Sequence, residues 1–78
     1  MSPIAFVLID AKLGSENVVL GALKKVSGVK EAYIVYGDYD IIAKIQADTS
    51  DELKEIVTLQ VRRMEEVHST LTMIVTEE

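Results

Sequence analysis

Hydrophobic residues change their spacing along the chain, and each change predicts a new element. From Ile4 to Ile9 every residue is apolar, which is typical of a strand that is buried on both faces. Apolar residues then recur at helical spacing from Val18 to Val26. Ser15 precedes this stretch as a favourable N-cap, and Gly28 follows it as a residue that commonly ends helices. The first part of the chain therefore predicts a strand followed by a helix.

Two further strands, Val29 to Tyr36 and Tyr39 to Ala47, are predicted on either side of a tight turn. Gly37 suits that turn because glycine adopts positive φ at little cost. The strand after the turn alternates between two faces. One face carries Tyr39, Ile41, Ala43, Ile45 and Ala47, and the other carries Asp40, Ile42, Lys44 and Gln46. This period of two predicts a β-hairpin.

A second helix and a last strand complete the pattern. Thr49 and Glu52 have the spacing of a capping box, and apolar residues follow at helical spacing from Leu53 to Met64. The last strand is predicted over Val67 to Val75. It alternates Val67, Ser69, Leu71, Met73 and Val75 with His68, Thr70, Thr72, Ile74 and Thr76. The order strand, helix, strand, strand, helix, strand predicts an α+β, ferredoxin-like βαββαβ sandwich.

A weak internal repeat supports two similar halves. Lys24-Lys25 followed by Val29 recurs 38 residues later as Arg62-Arg63 followed by Val67. Both basic pairs lie where helices are expected to end, and cations are favourable there. Right-handed crossovers put both helices on one face of the sheet. The open face then predicts a symmetric dimer with sheets packed face to face, a dimeric α/β-barrel, and the alternative is a monomer with a partly exposed sheet.

Composition narrows the possible functions. The 78 residues suffice for a single domain over residues 1–78, and the lack of cysteine excludes disulfides and thiolate metal sites. A net charge of −5 argues against direct nucleic-acid binding, which needs a concentrated basic surface. The apolar run at Ile4 to Ile9 is too short for a signal peptide core or a membrane span. We therefore expect a cytoplasmic protein that binds neither nucleic acid nor membrane.

The stretch Gly37-Asp38-Tyr39-Asp40 and the pair Thr70 and Thr72 are the candidate site. A turn needs the glycine but not two acids and an aromatic residue beside it, although a solvated hairpin turn remains the alternative. Thr70 and Thr72 share a strand face, and threonine there is also explained by strand propensity. Carboxylates and hydroxyls together can receive the ammonium and the carboxylate of a free α-amino acid.

Catalysis and metal binding have weaker support. His68 is the one histidine, and no carboxylate near it in sequence is placed to orient it as a base. An ordinary position in a sheet or an interface is the alternative for His68. Asp38 and Asp40 offer too few oxygens for a hard cation. No phosphate loop or dinucleotide motif occurs. We therefore expect no catalytic residue, no metal and no cofactor.

The residues resemble the effector-binding module of the Lrp/AsnC transcriptional regulators, called RAM for regulation of amino-acid metabolism. The resemblance covers essentially the whole chain and is most specific at Tyr36 to Ile42. The stretches that carry it are Ala5 to Ile9, Leu23 to Tyr33, Tyr36 to Ile42, and Val67 to Val75. Where many members have a Gly or Pro turn before the last strand, this chain has Met64-Glu65-Glu66.

The resemblance implies an amino-acid-sensing module that is not an enzyme. No helix-turn-helix precedes the first strand, so it implies a stand-alone RAM domain that acts on its own assembly or with full-length regulators. It also implies dimers that form a ring, commonly an octamer, with the effector in clefts between dimers. Gly37, Asp38, Tyr39 and Asp40 of one subunit and Thr70 and Thr72 of a neighbour would line each cleft.

Two other functions remain open from the sequence. Ferredoxin-like dimers also serve as small cofactor-free enzymes, such as monooxygenases and isomerases, and the fold alone does not exclude this. Such an enzyme needs an enclosed pocket within each subunit, whereas the sensor needs a cleft between dimers. A purely structural oligomerisation domain without a ligand is the third interpretation.

Overall fold

The computed structural model describes residues 2–77 and contains four strands, two α-helices and a π-helical segment. The strands are β1 (Ile4–Ala11), β2 (Val29–Ile34), β3 (Ile41–Gln46) and β4 (Val67–Ile74). The helices are α1 (Glu16–Lys24) and α2 (Ser50–Glu55), and α2 continues directly into the π segment (Ile56–Val61). The element order confirms the predicted βαββαβ fold.

The strands form one antiparallel sheet in the order β2-β3-β1-β4. One face of this sheet and the helices enclose the core, because alternate residues of the two central strands are fully buried. In β1 these are Ala5, Val7, Ile9 and Ala11, and in β3 they are Ile41, Ala43 and Ile45. From the helices and the π segment, Val19, Leu23, Leu53, Val57 and Val61 pack against them. The opposite face of the sheet carries no helix.

The π segment explains how the second helix keeps its apolar residues on the sheet. Leu53, Val57 and Val61 are each four residues apart and all three are buried. In an α-helix, positions four apart drift by about 40° around the axis. The wider π turn, in which the Arg62 amide donates to the Val57 carbonyl at 2.9 Å, reduces this drift. Periodicity alone predicted a single α-helix here and did not reveal the change.

Each edge strand contains a β-bulge at an equivalent position. In β2, Val29 and Glu31 lie opposite consecutive residues of β3, and in β4, Val67 and Ser69 lie opposite consecutive residues of β1. The extra residues are Lys30 and His68, which are 38 residues apart and so follow the internal repeat. The bulge corrects the predicted alternation of β4, because Val67 packs on the core side and not on the face of Ser69.

Other predicted boundaries also differ. The loop between β2 and β3 covers residues 35–40, so it is longer than the tight turn predicted at Gly37. Gly28 does have positive φ, at 101°, but α1 ends at Lys24 and Gly28 leads into β2 instead. Thr49 caps α2 as predicted, with its Oγ1 accepting from the Glu52 amide at 3.1 Å, whereas Ser15 makes no side-chain cap.

The turn before β4 forms without glycine or proline. The Met64 amide donates to the Val61 carbonyl at 3.2 Å, and the Val67 amide donates to the Met64 carbonyl at 3.1 Å. Met64 also packs against the core, which holds this turn in place. The longest helix, α1, has nine residues. Between residues 2 and 77, none of the helices has the length and apolar character that crossing a membrane requires.

Candidate functional site

The loop of residues 35–40 presents the first half of the candidate site at one end of the sheet. Gly37 has a φ of 154°, a conformation that side chains rarely allow, and a Cβ atom there would meet open space. The loop therefore needs glycine for its backbone path and not for close packing. Asp38 is exposed, whereas Tyr39 and Asp40 are half-buried.

Asp40 anchors this loop to the end of β1. Its amide donates to the Ile9 carbonyl at 3.0 Å, and its carbonyl accepts from the Val35 amide at 2.8 Å. Its carboxylate Oδ2 atom accepts from the Ala11 amide at 3.0 Å. Asp40 thus has a structural role that the sequence did not indicate. This bond uses only Oδ2 of the Asp40 carboxylate, which leaves Oδ1 able to accept from a ligand.

Thr70 and Thr72 lie on β4 and face the helix side of the sheet. Thr70 is opposite Ile9 and Thr72 is opposite Val7, and both of these β1 residues belong to the buried core. Residues directly opposite in an antiparallel pair share a face. Because β4 is an edge strand, Thr70 stays half-buried and Thr72 exposed.

The two threonines line two neighbouring depressions beside the π segment. Thr72 lies in a groove of about 190 Å³ together with Lys54, Thr58 and Arg62. Thr70 lies in a depression of about 310 Å³ together with His68, Ser69 and, again, Arg62. Arg62 was interpreted from the sequence as a cation that closes the second helix. The structure places it at the lining of both depressions that contain the threonines. The spacing of Lys54, Thr58 and Arg62 was the signal in the sequence that would have revealed this.

Within one subunit the two halves of the candidate site are apart. The loop joins β3, the threonines belong to β4, and β1 lies between these strands. Two inter-strand spacings correspond to roughly 9.6 Å between backbones. The family resemblance implies that a ligand contacts the two halves from two different subunits.

The open face of the sheet carries a continuous apolar row. Tyr33, Ile42, Leu8 and Leu71 lie opposite one another across all four strands. Tyr33 and Leu71 are 56% and 45% exposed. In a second row the residues also lie opposite one another across the four strands, and these are Glu31, Lys44, Phe6 and Met73.

Polar groups at one edge of that face interact with one another. The Tyr33 hydroxyl donates to Glu31 Oε1 at 2.8 Å, and Lys44 Nζ lies 3.7 Å from Glu31 Oε2. The hydrogen bond to Glu31 and the negative charge of that carboxylate raise the pKa of Tyr33 above its ordinary value. The ionised form of tyrosine would lose the donated hydrogen bond and face a like charge.

The described part of the chain shows little that is typical of an enclosed catalytic site. Between residues 2 and 77, no polar or charged residue is buried. His68 is the exposed extra residue of the β4 bulge. Nor do three potential metal-ligating side chains converge within this part of the chain.

The fold and these surfaces define a small ferredoxin-like binding domain. The family model for the Lrp/AsnC ligand binding domain matches residues 4–78. The chain belongs to this family, which confirms the predicted resemblance and the predicted ligand-binding class of domain.

Curated relatives contain this domain as one part of a longer protein. The chain is 39% identical over 72 residues to the HTH-type transcriptional regulator FL11 of Pyrococcus furiosus, covering 92% of the chain and 47% of FL11. It is also 45% identical over 53 residues to homocitrate synthase of Saccharolobus solfataricus, covering 68% of the chain and 11% of that enzyme. The chain thus spans about half the length of the first relative and about a tenth of the second.

Solved structures share the whole fold. The crystal structure of FFRP-DM1 has 41% sequence identity and a TM-score of 0.91, with 96% of this chain and 99% of that chain covered. The regulator NMB0573 of Neisseria meningitidis, solved as an L-Met complex, has 13% identity and a TM-score of 0.85, with 97% and 51% covered. The second likeness shows the fold alone.

Proposed function

We propose that this protein is a non-enzymatic amino-acid sensor whose RAM domain works in the cytoplasm. A free amino acid binds in clefts between dimers, and the dimers form a ring such as an octamer. Gly37, Asp38, Tyr39 and Asp40 of one subunit and Thr70 and Thr72 of a neighbour line each cleft. The observation that carries the proposal is the division of the site into an acidic loop and a hydroxyl-bearing edge strand.

The chemistry of the two halves supports an α-amino acid as the effector. Asp38 is exposed and Asp40 keeps one carboxylate oxygen available, so the loop offers acceptors for an ammonium group. Thr70 and Thr72 offer hydroxyl donors for a carboxylate. The regulator NMB0573, which has the same fold, was solved as an L-Met complex. An amino acid as its ligand agrees with the class of effector proposed for this protein. Binding can shift the assembly only by as much as the effector's affinity differs between assembly states.

The open sheet face supports the dimer. The protein exposes 5208 Å², whereas a folded monomer of 8.6 kDa is expected to expose about 4,700 Å². The extra exposed area agrees with the apolar row of the open sheet face, which nothing covers in the single chain. A second copy has the same rows, so a two-fold axis through the face matches apolar to apolar.

The fold alone leaves the monooxygenase or isomerase alternative open, and the packing gives it little support. A poised acid or base needs a desolvated site. Between residues 2 and 77 the core has only apolar side chains, and the depressions described above are open to the surface. This agrees with an effector that is bound and released unchanged.

Native mass spectrometry with the twenty L-amino acids tests the proposal. We expect a ring of dimers that retains one amino acid per site or changes its size when that amino acid is added. A plain dimer that retains none of the twenty would contradict the sensor function. The enzyme and the structural oligomerisation domain would then be the remaining interpretations.

The charge of Asp40 can be tested separately from its structural role. Asp40→Asn keeps an oxygen that can accept from the Ala11 amide, whereas Asp40→Ala would remove it. We expect Asp40→Asn to lower effector affinity by about 10-fold or more, since hydrogen bonds to charged groups contribute about 1.5–3 kcal/mol. Asp48→Asn is the matched control, because Asp48 is exposed at the opposite end of β3. Unchanged affinity in Asp40→Asn would exclude Asp40 as an ammonium acceptor.

A second candidate for the partner comes from the homocitrate synthase match. That match places a similar domain in a biosynthetic enzyme. The protein would then act on an enzyme that carries such a domain rather than on a full-length Lrp/AsnC regulator. Affinity purification from native cells with protein identification distinguishes these partners, because a regulator and an enzyme differ in sequence and size.

A further inference from the structure

We propose that Arg62 binds the carboxylate of the effector, in the groove between the π segment and the edge strand β4. This inference rests on the proposed function and adds a residue that recognises one end of the ligand. Arg62 lines both depressions that contain the candidate threonines. It is therefore the side chain that connects the two hydroxyls of Thr70 and Thr72 into one surface.

A polar stripe along the second helix faces this groove. Lys54, Thr58 and Arg62 are each four residues apart, and all three line the groove together with Thr72. Each follows a buried residue of the apolar stripe, since Leu53, Val57 and Val61 directly precede them. The buried residues fix the helix against the sheet, and the polar stripe is thereby held beside β4.

The π segment fixes the position of Arg62 in particular. Its amide donates to the Val57 carbonyl across the wide turn, and Val61, immediately before it, is fully buried. The backbone of Arg62 is therefore held in place, although its side chain is exposed. Short π-helical turns are frequently found at functional sites. Here the turn brings a guanidinium to the rim of the threonine-bearing depressions.

The charge around Arg62 favours an anion. The chain carries a net charge of −5, yet none of the residues that line either depression is an aspartate or a glutamate. No carboxylate of residues 2–77 lies within 4.0 Å of the Arg62 guanidinium, whereas Glu31 pairs with Lys44 on the other face. An acidic protein that keeps a guanidinium and a lysine beside three threonine hydroxyls has a local site for a negative group. Those hydroxyls belong to Thr58, Thr70 and Thr72.

A guanidinium and threonine hydroxyls match the geometry of a carboxylate. Arginine presents planar, paired N–H donors that bind both oxygens of a carboxylate, and a hydroxyl can donate to either oxygen from the side. The ammonium end of the same amino acid then points away from Arg62, towards an acidic loop such as that at Asp38 and Asp40. The effector therefore has a defined orientation in the cleft, with its carboxylate at Arg62 and its ammonium at the acidic loop.

The test compares an amino acid with its α-carboxamide on variants of Arg62. The amino acid is the one retained from the panel of twenty L-amino acids, and affinities are measured by isothermal titration calorimetry. Arg62→Gln removes the charge, and Arg62→Lys keeps the charge without the paired donors. Arg63→Gln is the matched control, since it makes the same charge change at the adjacent residue, which lines neither depression.

We expect Arg62→Gln to weaken binding of the amino acid by about 10- to 150-fold and Arg63→Gln to leave it within about 3-fold. Arg62→Lys should fall between these values. The wild type should bind the amino acid more tightly than the carboxamide, and Arg62→Gln should lose this preference. Circular dichroism and native mass should remain those of the wild type, because the Arg62 side chain is exposed.

The outcomes separate the inference from the proposed function. If the wild type binds an amino acid and Arg62→Gln binds it equally well with the same preference over the carboxamide, the role of Arg62 is wrong and the sensor stands. If Arg63→Gln weakens binding as strongly as Arg62→Gln, general charge accounts for the effect and the specific role is also wrong. If the wild type binds none of the twenty, both proposals fail.

Discussion

Replacing Leu8 with aspartate is predicted to convert the proposed dimer into a folded monomer. Leu8 lies at the centre of the apolar row on the open sheet face, between Ile42 of β3 and Leu71 of β4. It points away from the helices, so the core of the single subunit does not need it. In a dimer with packed sheets, a carboxylate at this position would be buried without a partner.

The structure sets the size of the effect. A two-fold axis places both copies of Leu8 in the same interface. Each copy loses about 2 kcal/mol of apolar burial. Each buried carboxylate adds a desolvation penalty of several kcal/mol. The dimer should therefore weaken by roughly 8 kcal/mol or more, which corresponds to about six orders of magnitude in Kd. At micromolar concentrations the variant should be monomeric.

Sedimentation velocity and native mass spectrometry measure this directly. The wild type should appear as a dimer of twice 8.6 kDa or as a multiple of that dimer, and Leu8→Asp should appear at 8.6 kDa. Leu13→Asp is the matched control, because Leu13 is fully exposed in a loop outside the sheet. The control should keep the sheet-to-sheet dimer. Circular dichroism should show the same secondary structure in all three proteins.

A folded Leu8→Asp variant that keeps the wild-type assembly would refute the argument. The open face would then not be the dimer interface, and the apolar row would need another explanation. Dissociation into monomers by Leu13→Asp but not by Leu8→Asp would place the interface at the loop end of the molecule. If Leu8→Asp unfolds, the single subunit is stable only when this face is covered. The wild type should then be observed only as a dimer or as a larger assembly.

Two further predictions concern stability and pH. Gly28→Ala should destabilise the fold by about 1–3 kcal/mol in urea unfolding, because Gly28 has a φ of 101° and a new Cβ would lie 2.8 Å from Ile56 Cδ1. Gly21→Ala, in an open helical position, should instead stabilise by about 0.5–1 kcal/mol, and equal effects would contradict this reasoning. Glu31→Gln should lower the pKa of Tyr33 towards its ordinary value, as followed by NMR titration. Because the fold raises the pKa of Tyr33, the interaction of its protonated hydroxyl with Glu31 stabilises the fold below about pH 10. This stabilisation is lost as the pH rises further. An unchanged Tyr33 pKa in Glu31→Gln would show that Glu31 is not the cause.

The sequence predicted the fold well because burial follows a simple period in most elements. The alternation in β3 and the apolar spacing in α1 are set by residues that face one core, so their order alone gives the sheet and the helix. The N-cap at Thr49 was predicted for the same reason, since the Glu52 amide that donates to its side chain is local. Elements that depend on one buried face and on nearby residues can therefore be predicted from the sequence.

The predictions failed where a contact between distant residues sets the local structure. His68 becomes a bulge because β4 must stay in register with β1, and nothing in the residues around it signals this. The loop of residues 35–40 is wider than predicted because Asp40 bonds to the end of β1, about 30 residues earlier in the chain. Asp40 was therefore expected to be a free ligand-binding residue, although part of its carboxylate is already used.

The two halves of the candidate site are arranged by the same structural repeat. The acidic loop follows the bulged strand β2, and the threonines belong to the bulged strand β4, and these are the two edges of one sheet. A subunit therefore presents acceptors near one edge and donors on the other, with the core strand β1 between them. A ring of identical subunits can bring one edge against the other, so that one zwitterion contacts both. Binding would then depend on assembly, and by linkage assembly would depend on the effector.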